Sequence, residues 1–464
     1  FRTTESPTPL KPVVVEEARL SRPVPSYTTT NVYTATWTGV PIDKTPISAQ
    51  AVPRQVLEDQ HCERIKDAVR NVSGVSQVKT EGRGIQFEEY GVRGFSQRAM
   101  LDGFTLYAMP VMNLAGVEQI EVLKGPSSSL YGALEPGGFV NVLPKLPSFE
   151  KRTELYGEVG SHGHYRTGFD TQGTIDSNAA YRVVADYENS DSFRDYLNRE
   201  CVFFSPSLTW VFPDETRLTW WLWYQHLDRP VDNGIIFDST GHRIGSINEN
   251  FASPQYNSQS IDDVTTGLRL DHPCSDDFSL HLRYLYHYFD GQYDAIRLQS
   301  YSLKGKVVPD VVKPYYDNSS FHNDEHDILD YAVWRFDAGP TEHRLLFGTE
   351  FSCSDYHYDK LTDTTSLAPY SIYSPVYYTG PFAPTAGATD QITLTRVAAG
   401  YVQDQVDLLD DRLHLLAGGR SDFVDRYNRS TDASRYTAYD LGFSGRGGVL
   451  YDLTDWVSPY VNAC

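Results

Sequence analysis

Two histidine pairs are the first candidates for chemistry in this chain. His322-Asn-Asp-Glu-His326 and His162-Gly-His164 carry residue types that bind transition metals. Both fall in segments that read as loops or turns, and neither has a third ligand fixed by spacing. Solvated loops are the reading the sequence favours, and no metal is expected. Carboxylates are plentiful, but no two are placed as the acid and base of a glycosidase. No GxSxG elbow, P-loop or dinucleotide fingerprint is present. No enzymatic activity and no cofactor are therefore expected. Cys62, Cys201, Cys274, Cys353 and Cys464 are odd in number and widely spaced, which supports neither a disulfide framework nor a zinc module.

The charge balance narrows the partners. The 464 residues carry a net charge of −21, which argues against a nucleic-acid partner. Residues 1–150 contribute −1 and residues 151–464 contribute −20. No apolar run reaches the ~18 residues of a transmembrane helix, but a spanning β-strand needs only ~9–11 residues, half of them apolar. The chain opens on Phe1 without a leader pattern and reads as a mature form or a fragment.

These residues must be held by three kinds of element. Residues 1–35 are rich in Pro, Ser and Thr and read as an extended or disordered arm. Val13, Val14 and Val15, followed by Glu16 and Glu17, interrupt it with a short β-prone patch suited to strand addition by a partner. Residues 36–150 read as a small α+β domain. Helices are expected over residues 53–60 and 63–71, and strands over residues 90–95, 99–102, 117–123 and 139–143, punctuated by glycines.

From residue 151 the pattern is period two. Phe278, Leu280, Leu282, Tyr284, Tyr286 and Tyr288 form one face of a strand; Ser279, His281, Arg283, Leu285 and His287 form the other. About thirteen strands of ~10 residues are expected, joined alternately by short turns and by long aromatic, polar excursions over residues 229–260, 290–327 and 356–390. Tyr, Phe and Trp cluster near strand ends. That combination predicts an outer-membrane β-barrel over a soluble sandwich or propeller.

The motifs of residues 67–145 resemble the plug domain of TonB-dependent outer-membrane receptors, most closely the ferric-siderophore branch. The similarity rests on Asp67-Ala-Val-Arg-Asn-Val-Ser-Gly-Val75, Tyr90-Gly-Val-Arg-Gly-Phe95 and Leu101-Asp-Gly103. Val117-Glu-Gln-Ile-Glu-Val-Leu-Lys-Gly-Pro126 through Tyr131-Gly132 and Glu135-Pro-Gly-Gly-Phe-Val-Asn-Val142 complete it. Gly400-Tyr-Val-Gln-Asp-Gln405 and Gly447-Gly-Val-Leu-Tyr451 extend it into the barrel. The resemblance implies a mostly β fold: an N-terminal α+β plug (36–150) inside a transmembrane antiparallel barrel (151–464). That barrel has about 22 strands in the family, with the C-terminal strands missing here. It implies a monomeric importer of a ferric siderophore in the Gram-negative outer membrane, in contact with lipid and driven by TonB of the TonB–ExbB–ExbD complex. Other cargo (cobalamin, haem or a glycan) and a truncated, non-functional remnant are the alternatives. Val13, Val14, Val15 and Glu16 would form the TonB box. Arg93 and Lys124 would lock the plug to barrel carboxylates such as Glu350. Loops over residues 79–88, around Gln97 and over 107–112 would face the outer mouth, with Arg83, Gln97, Tyr107 and Met109 touching the siderophore.

Overall fold

The computed structural model describes residues 26–29, 32–79, 89–108, 111–303, 306–363, 365–379, 388–431 and 435–464. The N-terminal domain runs β1 (Ser48–Pro53), α1 (Arg54–Asp59), α2 (Ile65–Val69), β2 (Val75–Lys79), β3 (Glu89–Val92), β4 (Phe95–Arg98), β5 (Met100–Leu101), β6 (Val117–Lys124), α3 (Ser128–Tyr131) and β7 (Gly138–Pro144). One sheet has the order β1-β6-β7-β5, with β5 parallel to β7, and a second has the order β2-β3-β4. β7 is a near-continuous apolar run, buried throughout because both its faces are covered, and the apolar residues of β6 are buried with it. Ile120, Val122, Leu123, Phe139, Val140 and Val142 are at most 1% exposed.

Three local differences from the sequence reading have physical causes. β1 was not anticipated, since Ser48-Ala-Gln-Ala has little β-propensity; it forms by pairing with β6, Ser48 opposite Lys124. The strand expected over residues 90–95 is instead a hairpin. Arg93 (φ 51°) and Gly94 (φ 87°) are both left-handed and turn β3 into β4, as a two-residue loop of the type I′ kind requires. Residues 32–35, read as part of the arm, are folded: Thr34 and Ala35 are buried in a 3-10 turn over Tyr33–Ala35. The buried Glu121 carboxylate holds that turn, accepting from the backbone N–H groups of Tyr33 (3.1 Å) and Thr34 (2.8 Å).

Beyond residue 151 a continuous antiparallel meander forms a wall: β8 (Arg152–Val159), β9 (Tyr165–Thr174), β10 (Ala179–Asp191), β11 (Asn198–Val211), β12 (Arg217–Asp228), β13 (Asn257–Pro273), β14 (Phe278–Leu303), β15 (Lys306–Ala338), β16 (Thr341–Asp363), the short β17 (Tyr370–Ser371) pairing β15, β18 (Ala388–Leu408), β19 (Leu413–Ser430), β20 (Tyr436–Tyr451) and β21 (Tyr460–Ala463). β8 and β21 are the two ends of the strand order, and no described pairing joins them. The excursion expected over residues 290–327 is ladder instead: β14 and β15 pair from Phe278↔Trp334 out to Leu303↔Lys306. The alternation continues through that stretch, so its backbone groups are satisfied in the sheet. Residues 229–256 do form a long connection.

The polarity of the wall is inverted relative to a soluble sandwich. Leu268, Leu282, Phe347, Val402 and Phe443 point outward and are 40–77% exposed, while Arg182, Asp186, Arg269, His287, Glu325 and Gln403 point inward and are buried. Among the described residues no helix is long and apolar enough to cross a membrane; the outward face of the strands is what could meet lipid. Wall and N-terminal domain share one core, in which Phe203, Trp223, Leu329 and Tyr401 pack with Trp37, Leu101 and Leu114.

The β6–β7 hairpin approaches β3 so closely that position 137 admits no side chain: a Cβ there would lie 1.9 Å from the Val92 carbonyl oxygen. Gly137→Ala is expected to push β3–β4 off β7 and lower stability by about 1–3 kcal/mol. A denaturant midpoint unchanged from wild type would refute that packing.

Candidate functional site

Two regions of the lumen bring side chains together: a seam between the N-terminal domain and the wall, and an aromatic basin above it. The seam is built from buried polar pairs. Arg64, just ahead of α2, donates to Glu188 of β10 at 2.7 Å. Asp102, in the turn after β5, takes Arg269 of β13 in a two-point grip, Nε to Oδ2 at 2.8 Å, and both side chains are 5% exposed. Asn113 donates its side-chain amide to Asp186 at 2.8 Å and its backbone N–H to Gln225 Oε1 at 3.0 Å. Trp37 packs its ring against Tyr331 and Tyr401 of the wall, 5.5 and 5.7 Å between centroids.

The junction between the two parts carries a denser network. Lys145 Nζ lies 2.8 Å from Asp170 Oδ2, and Arg182 donates to both oxygens of the same carboxylate at 2.9 and 2.7 Å. Arg182 also reaches Glu118 at 3.5 Å and the Leu146 carbonyl at 3.2 Å. Burial, then the guanidinium of Arg54, holds the Lys145 ammonium down to about 7 against the pull of Asp170.

The basin gathers Tyr293 of β14, Phe321 of β15 and Tyr356 and Tyr358 of β16 around Tyr107 of the N-terminal domain. Tyr107 packs against Tyr356 with the rings 4.7 Å apart and tilted by 49°, and Phe321 lies 4.6 Å from Tyr358 and 6.3 Å from Tyr293. Cations interleave: Arg98 sits 5.5 Å over the Tyr107 ring, and Arg297 lies 6.0 Å from both Tyr293 and Tyr315. The segment carrying Tyr107 is fixed from below, since its N–H donates to Glu325 at 2.9 Å. Burial raises the Tyr107 phenol above its ordinary value, so the ring is neutral across the physiological range. Arg297 also pairs with the buried Asp317 at 3.2 Å, and the aromatic faces suit a compact ligand.

This layout, a small α+β domain tied into the polar inner face of an apolar-outside strand wall, has relatives. The family described as TonB-dependent receptor plug domain matches residues 41–139, and that described as TonB dependent receptor-like, beta-barrel matches residues 204–463. The chain belongs to the TonB-dependent receptor family. It is 30% identical to the metal-pseudopaline receptor CntO of Pseudomonas aeruginosa over 99% of this chain and 66% of that protein. It is 28% identical to the ferrioxamine B receptor of Salmonella typhimurium over 92% of this chain and 62% of that one. The chain thus spans just under two thirds of these relatives. Among solved structures, the siderophore receptor PiuA from Acinetobacter baumannii superposes with a TM-score of 0.82 at 20% identity, covering 96% of this chain and 67% of that one. The ferric-catecholate import receptor Fiu from Escherichia coli K12 gives 0.82 at 19% identity, covering 94% and 67%. These two likenesses are of fold. Homologues of this family are β-barrel proteins of the Gram-negative outer membrane, so the N-terminal domain is a plug and the wall is barrel.

The residues singled out in the sequence fall in different places. Tyr107 lines the basin. Gln97, on β4, is half-buried, and its side chain accepts from the Glu135 N–H at 3.5 Å. Arg83, Met109, Val13, Val14, Val15 and Glu16 lie outside the described residues. Arg93 and Lys124 do not meet a barrel carboxylate among the described residues. Arg93 occupies the β3–β4 turn, and Lys124 donates to Ser73 at 3.0 Å, its ammonium lowered by burial and by Arg93 beside it. Glu350 pairs instead with Arg420 of the barrel at 2.8 Å, and Arg420 also reaches the Leu130 carbonyl of the plug at 3.1 Å. His322 and His326 are on β15, not in a loop. Four residues apart on a strand, they stand ~13 Å apart and cannot share an ion. Phe321, Tyr356, Tyr293, Arg98 and Arg297 were missed. For the four barrel residues the signal was an alternation continuing through segments read as loop; Arg98, in the plug, carried no such signal.

Two outcomes follow. Asp102→Ala removes the two-point grip on Arg269, and is expected to weaken plug seating by about 1.5–3 kcal/mol, read as the urea concentration that exposes the plug to protease. Lys145 binds its proton less tightly folded (about 7) than unfolded (10.5). Between those values the unfolded chain holds the extra proton, so this group's contribution to stability rises with pH. Wild type should gain stability relative to Lys145→Met from pH 7 to pH 10; a flat or falling difference contradicts the assignment.

Proposed function

We propose that this chain is the plug and the greater part of the barrel of a TonB-dependent receptor that imports a ferric siderophore into the periplasm. In the whole receptor the wall closes as a barrel of about 22 strands around the plug. The observation that carries the reading is the basin of Tyr107, Tyr356, Phe321 and Tyr293 with Arg98 and Arg297, set above a plug held by buried pairs. Curated relatives named for siderophore uptake, including the ferrioxamine B receptor, support the cargo class. The protein contributes aromatic faces and guanidinium groups, and the iron arrives already chelated. Tyr107 and Gln97, with Arg83 and Met109, remain the proposed contacts from the plug. Val13, Val14, Val15 and Glu16 are the proposed TonB box, and TonB of the TonB–ExbB–ExbD complex the proposed partner.

The test is binding of detergent-solubilised protein to ferric hydroxamate and ferric catecholate siderophores, with haem and cobalamin alongside. One ferric siderophore should bind, and Tyr107→Ala or Arg98→Ala should each weaken it about tenfold, the size of a lost cation–π contact. Binding of haem or cobalamin alone would overturn the cargo. Deleting residues 13–17 in the full receptor should abolish uptake and leave binding intact; surviving uptake would remove the box assignment.

A further inference from the structure

We propose that Glu63, Glu158 and His164 form a divalent-cation site that clasps the plug to the first hairpin of the barrel. Their sequence spacing gives no hint of it. The fold brings together Glu63 from the plug, directly before Arg64 and α2, Glu158 near the end of β8, and His164 from the turn into β9. One ligand atom from each lies within 4.8 Å of the other two.

Three observations point to a cation rather than a closed ion-pair cluster. First, His164 Nε2 is buried and has no hydrogen-bond partner, while the nearest carboxylate oxygen, Glu63 Oε1, is 3.9 Å away. Second, neither carboxylate has a lysine or arginine within ion-pair distance among the described residues. Arg166, opposite Glu158 in the ladder, is turned onto Asp186 at 2.7 Å, and Arg64, next to Glu63, is turned onto Glu188. Two negative charges therefore face a lone imidazole. The other three-ligand cluster, Asp407, Asp411 and His414, differs on this point: Arg344 and Lys44 already pair with its carboxylates. Third, the imidazole is positioned by its own turn. Gly160 N–H donates to the His164 carbonyl at 2.9 Å, and a Cβ at Gly160 would meet the ring at 3.4 Å, so the ring folds back over the glycine.

One nitrogen and two carboxylate oxygens suit a borderline ion such as zinc, with a fourth position open to water. Zinc bonds of ~2.0–2.1 Å place tetrahedral ligand atoms about 3.3–3.5 Å apart, so side-chain shifts of up to about an ångström close the site. Bound there, the ion would tie the segment before α2 to β8 and resist separation of plug from wall.

The test is calorimetric titration of zinc into the detergent-solubilised protein, free of any polyhistidine tag, at pH 7.5. Wild type should show one saturable site. His164→Ala should lose it, and the isosteric Glu63→Gln and Glu158→Gln should each weaken it at least tenfold, while the exposed neighbour change His162→Ala leaves it unaltered. Occupancy should also raise the urea concentration at which the plug becomes protease-sensitive, in wild type and not in Glu63→Gln. The proposal falls if wild type takes up no zinc, or if His164→Ala and Glu63→Gln titrate as wild type does.

Discussion

The constraint on which the rest depends is that the long strands of the wall alternate between an apolar outside and a charged inside. A strand that meets lipid on one face must send its ionic residues to the other, and those residues are then covered by the plug. Burying an unpaired ion costs several kcal/mol, so each needs a partner, within the wall as Glu350 has Arg420 or across the seam. Arg269 finds Asp102, Glu188 finds Arg64, and Asp170 finds Lys145. Because side chains alternate with period two, a one-residue slip of any of these strands would turn its charges toward lipid. The seam thus fixes the register of the barrel as firmly as it seats the plug.

The same constraint shapes the basin. Tyr107 reaches its aromatic neighbours because the backbone of its segment is fastened to Glu325, a carboxylate the wall must satisfy in any case. Fastening and the proposed recognition share one short stretch of chain, so a ligand held as proposed at Tyr107 would also load a plug–barrel contact. Arg420 works similarly lower down, joining Glu350 to the Leu130 carbonyl beside α3.

What the sequence revealed followed the range of the physics involved. Local signals were legible. Pro53 opening α1, the apolar spacing of Ile65, Ala68 and Val69, and the period-two faces of β14 are written in neighbouring residues. The plug motifs identified the family. Contacts between distant segments were not legible. Nothing near Arg93 shows that it turns a hairpin with a left-handed backbone rather than locking the plug, because the Gly94 that permits the turn also fits a strand end. Phe321 and Tyr356 were read as loop because aromatic, polar composition suggests loop, while the ladder that orders them depends on a partner strand tens of residues away. Glu158 and His164 meet across the β8–β9 hairpin, but Glu63 joins them only through the plug's seating, which no local spacing shows.

The length of the central strands has its own consequence. β14 and β15 run for 26 and 33 residues, roughly 85 and 110 Å of chain at ~3.3 Å per residue. Even tilted by ~45°, a strand of that length rises about 60–75 Å, against an apolar band ~25 Å tall. Some 35–50 Å of paired strand therefore projects like a stiff funnel rim beyond the hydrocarbon. At a Debye length of ~8 Å, its tip is several screening lengths from the headgroups. An arriving solute first feels the rim's own charges and not those of the lipid surface, so capture can be tuned by substitutions there without altering how the protein sits in its bilayer.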